Sequence, residues 1–177
     1  MIRLLKRFVR DFRKEDGTAS IEFVFIVPML MTIFMASCES GYFMVRHVML
    51  ERAVDMTMRD LRLGLLGNVD HNQLRTLMCS RSVVLKNCLT NLKIELRPVS
   101  STTFAMPATP ETCVDRTNNI DPPTTFNRGV GNELMLVRVC VRQDAMFPST
   151  GVGLGLQQDA QGGYALVARS AFVNEPS

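Results

Sequence analysis

Glu22 is the only charged residue among the 22 from Gly17 to Cys38, the one long apolar stretch of the chain. Inside hydrocarbon a carboxylate costs about 2.5 to 3.5 kcal/mol on insertion scales, so it calls for a partner or a purpose. The run Gly17-Thr18-Ala19-Ser20-Ile21-Glu22-Phe23 sets the acid five residues after a glycine, behind a basic leader and directly ahead of the apolar residues. A cut after Gly17 would give Thr18 a free ammonium in the first helical turn, at the membrane depth of Glu22 in a neighbouring copy. Each charge would then neutralise the other. The plainer alternative is an uncleaved anchor whose Glu22 snorkels to the cytoplasmic surface.

The other residues able to do chemistry are sulfur and imidazole. Cys79, Cys88, Cys113 and Cys140 follow the apolar stretch, an even count that reads as two disulfides if this part is exported. Of the three connectivities, Cys79 to Cys88 is favoured because it closes a short local loop, and Cys113 to Cys140 because it pins a Pro-rich loop to a strand. Zinc is the competing use, but no Cys-x-x-Cys occurs and His71 is the only histidine beyond the long helix. His47 and His71 read as solvated surface residues rather than general bases. There is no Gly-x-Ser-x-Gly and no His-Glu-x-x-His. Gly151-Val152-Gly153-Leu154-Gly155 lacks a following lysine and reads as a flexible hairpin connection, not a phosphate loop. Met29, Met31, Met35, Met44, Met49, Met56 and Met58 share the long apolar helix, where packing against lipid and partner helices is the expected use. No enzyme activity, cofactor or metal is expected.

The elements that position Glu22 follow from charge and length. Six basic residues precede Gly17; without that segment and its three acids, 14 basic and 14 acidic residues remain. The overall balance of +3 is too small and too spread for nucleic acid, and 46% apolar residues exclude a solvated coil. A helix from Gly17 to Cys38 reaches roughly 33 Å, about a hydrocarbon core. The basic leader places the N-terminus in the cytoplasm and exports the rest. A cleaved secretory signal fits poorly, because Glu22 and Pro28 fall in what would be its apolar region. Met35-Ala36-Ser37-Cys38 outlines a lipoprotein box, in which Cys38 would be acylated. Pro28 removes a backbone donor, so a kink is expected there.

Beyond Cys38 the helix becomes amphipathic, with Leu50, Val54, Met58, Leu61 and Leu65 on one stripe and Glu51, Asp55, Arg59 and Arg62 on another. Gly64, Gly67 and Asn68 supply the stop, giving one helix over 18–66. Asp70 caps a short helix through Leu77. Strands are expected at 91–99, half-buried by its period, and at 134–142 and 164–173, with long loops over 100–131 and 143–163. The class is α+β: a long N-terminal helix, membrane span then amphipathic half, packed on a small antiparallel sheet and stabilised by disulfides. The division is a leader at 1–17, a span at 18–45 and an exported head at 46–177.

The residues from Gly17 to Phe23 resemble the processing site of type IV prepilins and pseudopilins, and with Pro28 they look most like the TadE-like family of tight-adherence pilus systems. The run Arg169-Ser170-Ala171-Phe172-Val173-Asn174-Glu175-Pro176 is similar to the end of many members. The resemblance implies cleavage by a prepilin peptidase between Gly17 and Thr18, Glu22 as the acid of subunit packing, and an apolar helix that holds the protein in the inner membrane with its head in the periplasm. It implies as partners that peptidase, other pseudopilins, the major pilin and the inner-membrane platform. Major fibre subunits usually have Tyr after the acid where this chain has Phe23, which with its length and cysteines points to a minor pseudopilin. An uncleaved or lipidated envelope protein with a disulfide-bonded binding head is the alternative.

Overall fold

The structure, a computed structural model, describes residues 18–109, 113–116, 124–149, 153 and 155–175. The leader at 1–17, including Gly17, lies outside the described residues. Helix α1 spans Thr18–Arg62 and runs through Pro28. Its end differs from the expected 66. The Leu65 amide donates to Asp60 O at 3.0 Å and the Gly64 amide to Leu61 O at 3.1 Å, with Gly64 at φ +68°. This pair of bonds closes the helix four residues early, because the left-handed conformation that glycine accepts turns the chain off the axis. Leu65 therefore lies beyond α1 and is 70% exposed, not part of the buried stripe.

Helix α2 (His71–Arg81) starts at Asp70, whose side chain accepts from the Gln73 amide at 2.7 Å while Gln73 Oε1 accepts from the Asp70 amide at 3.0 Å. That capping box fixes the start; the helix continues four residues past Leu77, with Leu74 and Met78 buried on one face. A single turn, α3 (Cys88–Asn91), not foreseen in the sequence, leads into the sheet.

Strands β1 (Leu92–Val99), β2 (Leu134–Asp144) and β3 (Gly163–Val173) form an antiparallel sheet in the order β1-β2-β3. Leu92, Ile94 and Leu96 stand opposite Val141, Val139 and Val137, and Val141 and Val139 stand opposite Leu166 and Ala168. This face meets Leu50, Val54 and Met58 of α1 to form the core, so the head-facing stripe of the helix is the one its period marked.

The opposite face corrects the expectation that β1 is half-buried. Lys93, Glu95 and Arg138 point there, yet all are buried. Glu95 Oε2 accepts from Arg138 Nε at 2.8 Å and also from its Nη2, and Arg138 Nη1 donates to Thr109 O at 2.7 Å. Described residues of the loop that follows β1 reach this face, Thr109 through Arg138 and Cys113 through its bond to Cys140. Alternation marks which side chains share a face, but not whether a loop lies over them.

Candidate functional site

Two regions of α1 carry the site: an exposed apolar length bearing Glu22, and the joint where the head begins. From Ile21 to Phe34 the large apolar side chains other than Val27 are exposed, Phe23 at 67% and Phe25 at 74%. Among the described residues, Ser20–Arg62 is the one helix long and apolar enough to cross a membrane. Glu22 is exposed in this surface and makes no hydrogen bond or ion pair among the described residues. It lies one turn beyond Thr18, about 6 Å along the axis. Any partner for it must come from outside this chain's folded head.

Glu39, one residue past Cys38, is the first fully buried residue of α1 among those described. Its Oε2 accepts the Phe147 amide at 2.7 Å, while Oε1 has no hydrogen-bond partner among the described residues. Two turns on, Arg46 is buried with its guanidinium 4.0 Å over the Tyr42 ring. Its Nη1 donates to Asp144 O and to Tyr164 Oη, both at 2.7 Å. Phe43 packs on Tyr164 with ring centroids 5.3 Å apart. Burial raises the Tyr164 phenol above its ordinary value, against the pull of the Arg46 charge. Sequence reading missed this joint because it began the buried stripe at Leu50. Extended back by the same spacing, the stripe passes through Arg46, Phe43 and Glu39, and that extension is the signal that could have found it. The residues at the end of the expected span, 39–45, are thus partly in contact with the head.

The histidines are less solvated than expected. The His47 ring stacks on Phe43 and its Nδ1 lies 3.4 Å from Glu51 Oε1. The His71 ring meets Phe126 edge to face at 5.6 Å. The polar stripe of α1 does not pair within itself: Glu51 meets His47, and Arg62 reaches Glu175 at 3.2 Å.

The structure pairs Cys79 with Cys88 and Cys113 with Cys140, their Cα atoms 5.6 and 5.3 Å apart. This leaves no thiolate among the four for a metal, and Cys38 is free and exposed. At the β2–β3 end, Arg116 donates from Nε and Nη2 to Asp159, both at 3.0 Å, and from Nη1 to Asp144 Oδ1 at 2.6 Å. The Asp159 hydrogen bond, foremost, raises the Arg116 guanidinium further above its already high value. Of the glycine run at 151–155, Gly153 and Gly155 are described; Gly153 is buried and its carbonyl accepts from Gln158 Nε2.

No curated protein and no solved structure gives a significant match to the chain. The sequence model of the family described as TadE-like protein matches residues 17–59, roughly a quarter of the chain. That segment opens at Gly17, contains Glu22 and Pro28, and takes in the joint at Glu39 and Arg46, so over residues 17–59 the chain is similar to TadE-like proteins.

Proposed function

We propose that the chain is a minor pseudopilin that helps to assemble or initiate a tight-adherence pilus. A prepilin peptidase cuts between Gly17 and Thr18 on the cytoplasmic side. The span then holds the subunit in the inner membrane with its head in the periplasm. Other pseudopilins, the major pilin and the inner-membrane platform meet it along the exposed part of α1. The role is structural rather than catalytic, as is that of the family. Pro28, which leaves Val24 O without its helical donor, is the place where α1 would bend as the subunit leaves the bilayer.

The observation that carries this reading is Glu22, an acid that has no partner among the described residues and stands on a bare apolar helix inside the matched segment. Such a charge is costly in lipid unless it is neutralised or snorkels out, and the new ammonium of Thr18 in a neighbouring subunit is at the matching depth to neutralise it. The second reading, an uncleaved or lipidated envelope protein, is favoured by Cys38 being free and exposed. Intact mass and the N-terminal peptide, from hosts with and without the peptidase, separate the two. A peptidase-dependent start at Thr18 is expected; a start at Met1 makes the protein a plain anchor, and an acylated Cys38 makes it a lipoprotein.

A further inference from the structure

The height of the head above the span is fixed by named contacts. Side chains of a helix lean toward its N-terminus, so the Glu39 carboxylate that holds the Phe147 amide at 2.7 Å lies on the span side of its own Cα. Arg46, which holds Asp144 O at 2.7 Å, is seven residues and about 10 Å further along α1. Between Asp144 and Phe147 the chain therefore descends toward the exposed apolar part of the helix. The other end of the head is far away: Arg62 meets Glu175, and the Asn174 side chain bonds Arg128 O and Val130 O. Arg62 lies about 35 Å beyond Glu39 along the axis.

The 21 residues at 18–38 span about 32 Å as helix, which uses up the hydrocarbon thickness just before Glu39. The turn at 145–149, Ala145-Met146-Phe147-Pro148-Ser149, is thus held at the level of the bilayer surface. It carries no charge, Met146 is 49% exposed, and Pro148 is exposed. Its apolar surface lies at the height where α1 passes from an exposed apolar length to one buried on its head-facing side, while Met44, Val45 and Val48 keep the opposite side apolar and exposed.

We propose that this turn is a lipid-contacting element: it seats the head on the outer surface of the bilayer that α1 crosses, with Met146 in the headgroup–acyl boundary and Glu39 setting the height. The occupant is phospholipid, because the contact level is set by the span of the same chain and needs no second subunit. An apolar turn at that level gains from the partly dehydrated interface what it would forgo in water. The inference rests on the single-span reading above.

The test uses the full chain with Cys38 replaced by serine and one new cysteine, at I33C, M146C or V130C, carrying an environment-sensitive fluorophore. Each is reconstituted at low protein density in phosphatidylethanolamine–phosphatidylglycerol vesicles, with and without nitroxide-labelled lipid. Quenching at position 146 of at least half that at 33, with little at 130, is expected. Quenching at 33 while 146 behaves like 130 overturns the proposal and keeps the span; no quenching at 33 overturns the span itself. Protection of 146 that grows only with protein density assigns the turn to a second copy and overturns the lipid contact. S149C reads the same height if M146C fails to fold.

Discussion

Glu22 and Glu39 are the same residue type on one helix with opposite surroundings, and their substitutions should separate cleanly. Glu22 makes no hydrogen bond or ion pair among the described residues, so Glu22→Ala should leave span insertion and head stability unchanged while, on the proposed function, reducing co-purification with pilus subunits and piliation. Normal pili from that variant would count against the intersubunit ion pair. Glu39 is fully enclosed and supplies the acceptor for the Phe147 amide. Glu39→Ala strands that donor and should cost about 1–3 kcal/mol of head stability, whereas Glu39→Gln keeps an oxygen and should cost less. Tyr42 and Tyr164 are the only tyrosines in a chain without tryptophan, and both sit on Arg46. Tyrosine emission during urea unfolding in detergent micelles thus reports on this joint, and equal midpoints for the two Glu39 variants would contradict the account.

At the scale of elements, the two disulfides hold different things. Cys79–Cys88 joins α2 to the single turn α3 over nine residues of separation, while Cys113–Cys140 holds the covering segment over 27. Closing the longer loop restricts the unfolded chain more, by about 1 kcal/mol in the loop-entropy account. C113A/C140A should therefore lose more stability in urea than C79A/C88A, and it alone should expose the Glu95–Arg138 pair to solvent. The reverse order would mean that α2 depends on its bridge more than the sheet does. The Arg116–Asp159 clamp adds a pH signature. Burial pushes the Asp159 carboxyl up, but the Arg116 hydrogen bond, the Gly163 amide, the Arg116 charge and the Gln161 amide outweigh it and hold it below its ordinary value. Its contribution is fully present above the unfolded-chain value of about 4 and fades as pH falls through the lower folded value. Asp159→Asn should flatten the acid loss of the urea midpoint in that range; an unchanged slope would assign the loss to other carboxylates. These elements were legible to different degrees. The helix, the three strands and the cysteine partners followed from period, spacing and loop length, which act locally. The cover over Lys93 and Glu95, the joint at Glu39 and the early stop at Gly64 did not, because each depends on a distant segment or on one backbone angle that composition leaves open.

For the molecule as a whole, the chain divides into a bare apolar length and a head that begins almost at once beyond it, with little polar spacer between. This arrangement ties the oxidation state of the head to which side of the membrane it reaches. The four head cysteines pair only where the compartment oxidises thiols, and without those bonds the segment over β1 and β2 loses its anchor at the buried Cys140. Alkylation of unfolded protein with a mass-tagging maleimide counts the outcome directly. In a host with an intact envelope oxidation system, one thiol, Cys38, should react before reduction and five after it. In a host lacking the periplasmic thiol oxidase all five should react at once, and the head should become sensitive to trypsin added to spheroplasts while the span stays protected. One reactive thiol in both hosts would mean that the bonds form without that oxidase. Five in the intact host would place the head in the cytoplasm, reverse the topology read from the basic leader, and put the Gly17–Thr18 bond on the side away from the cytoplasmic peptidase, so that no Thr18 ammonium would form to meet Glu22.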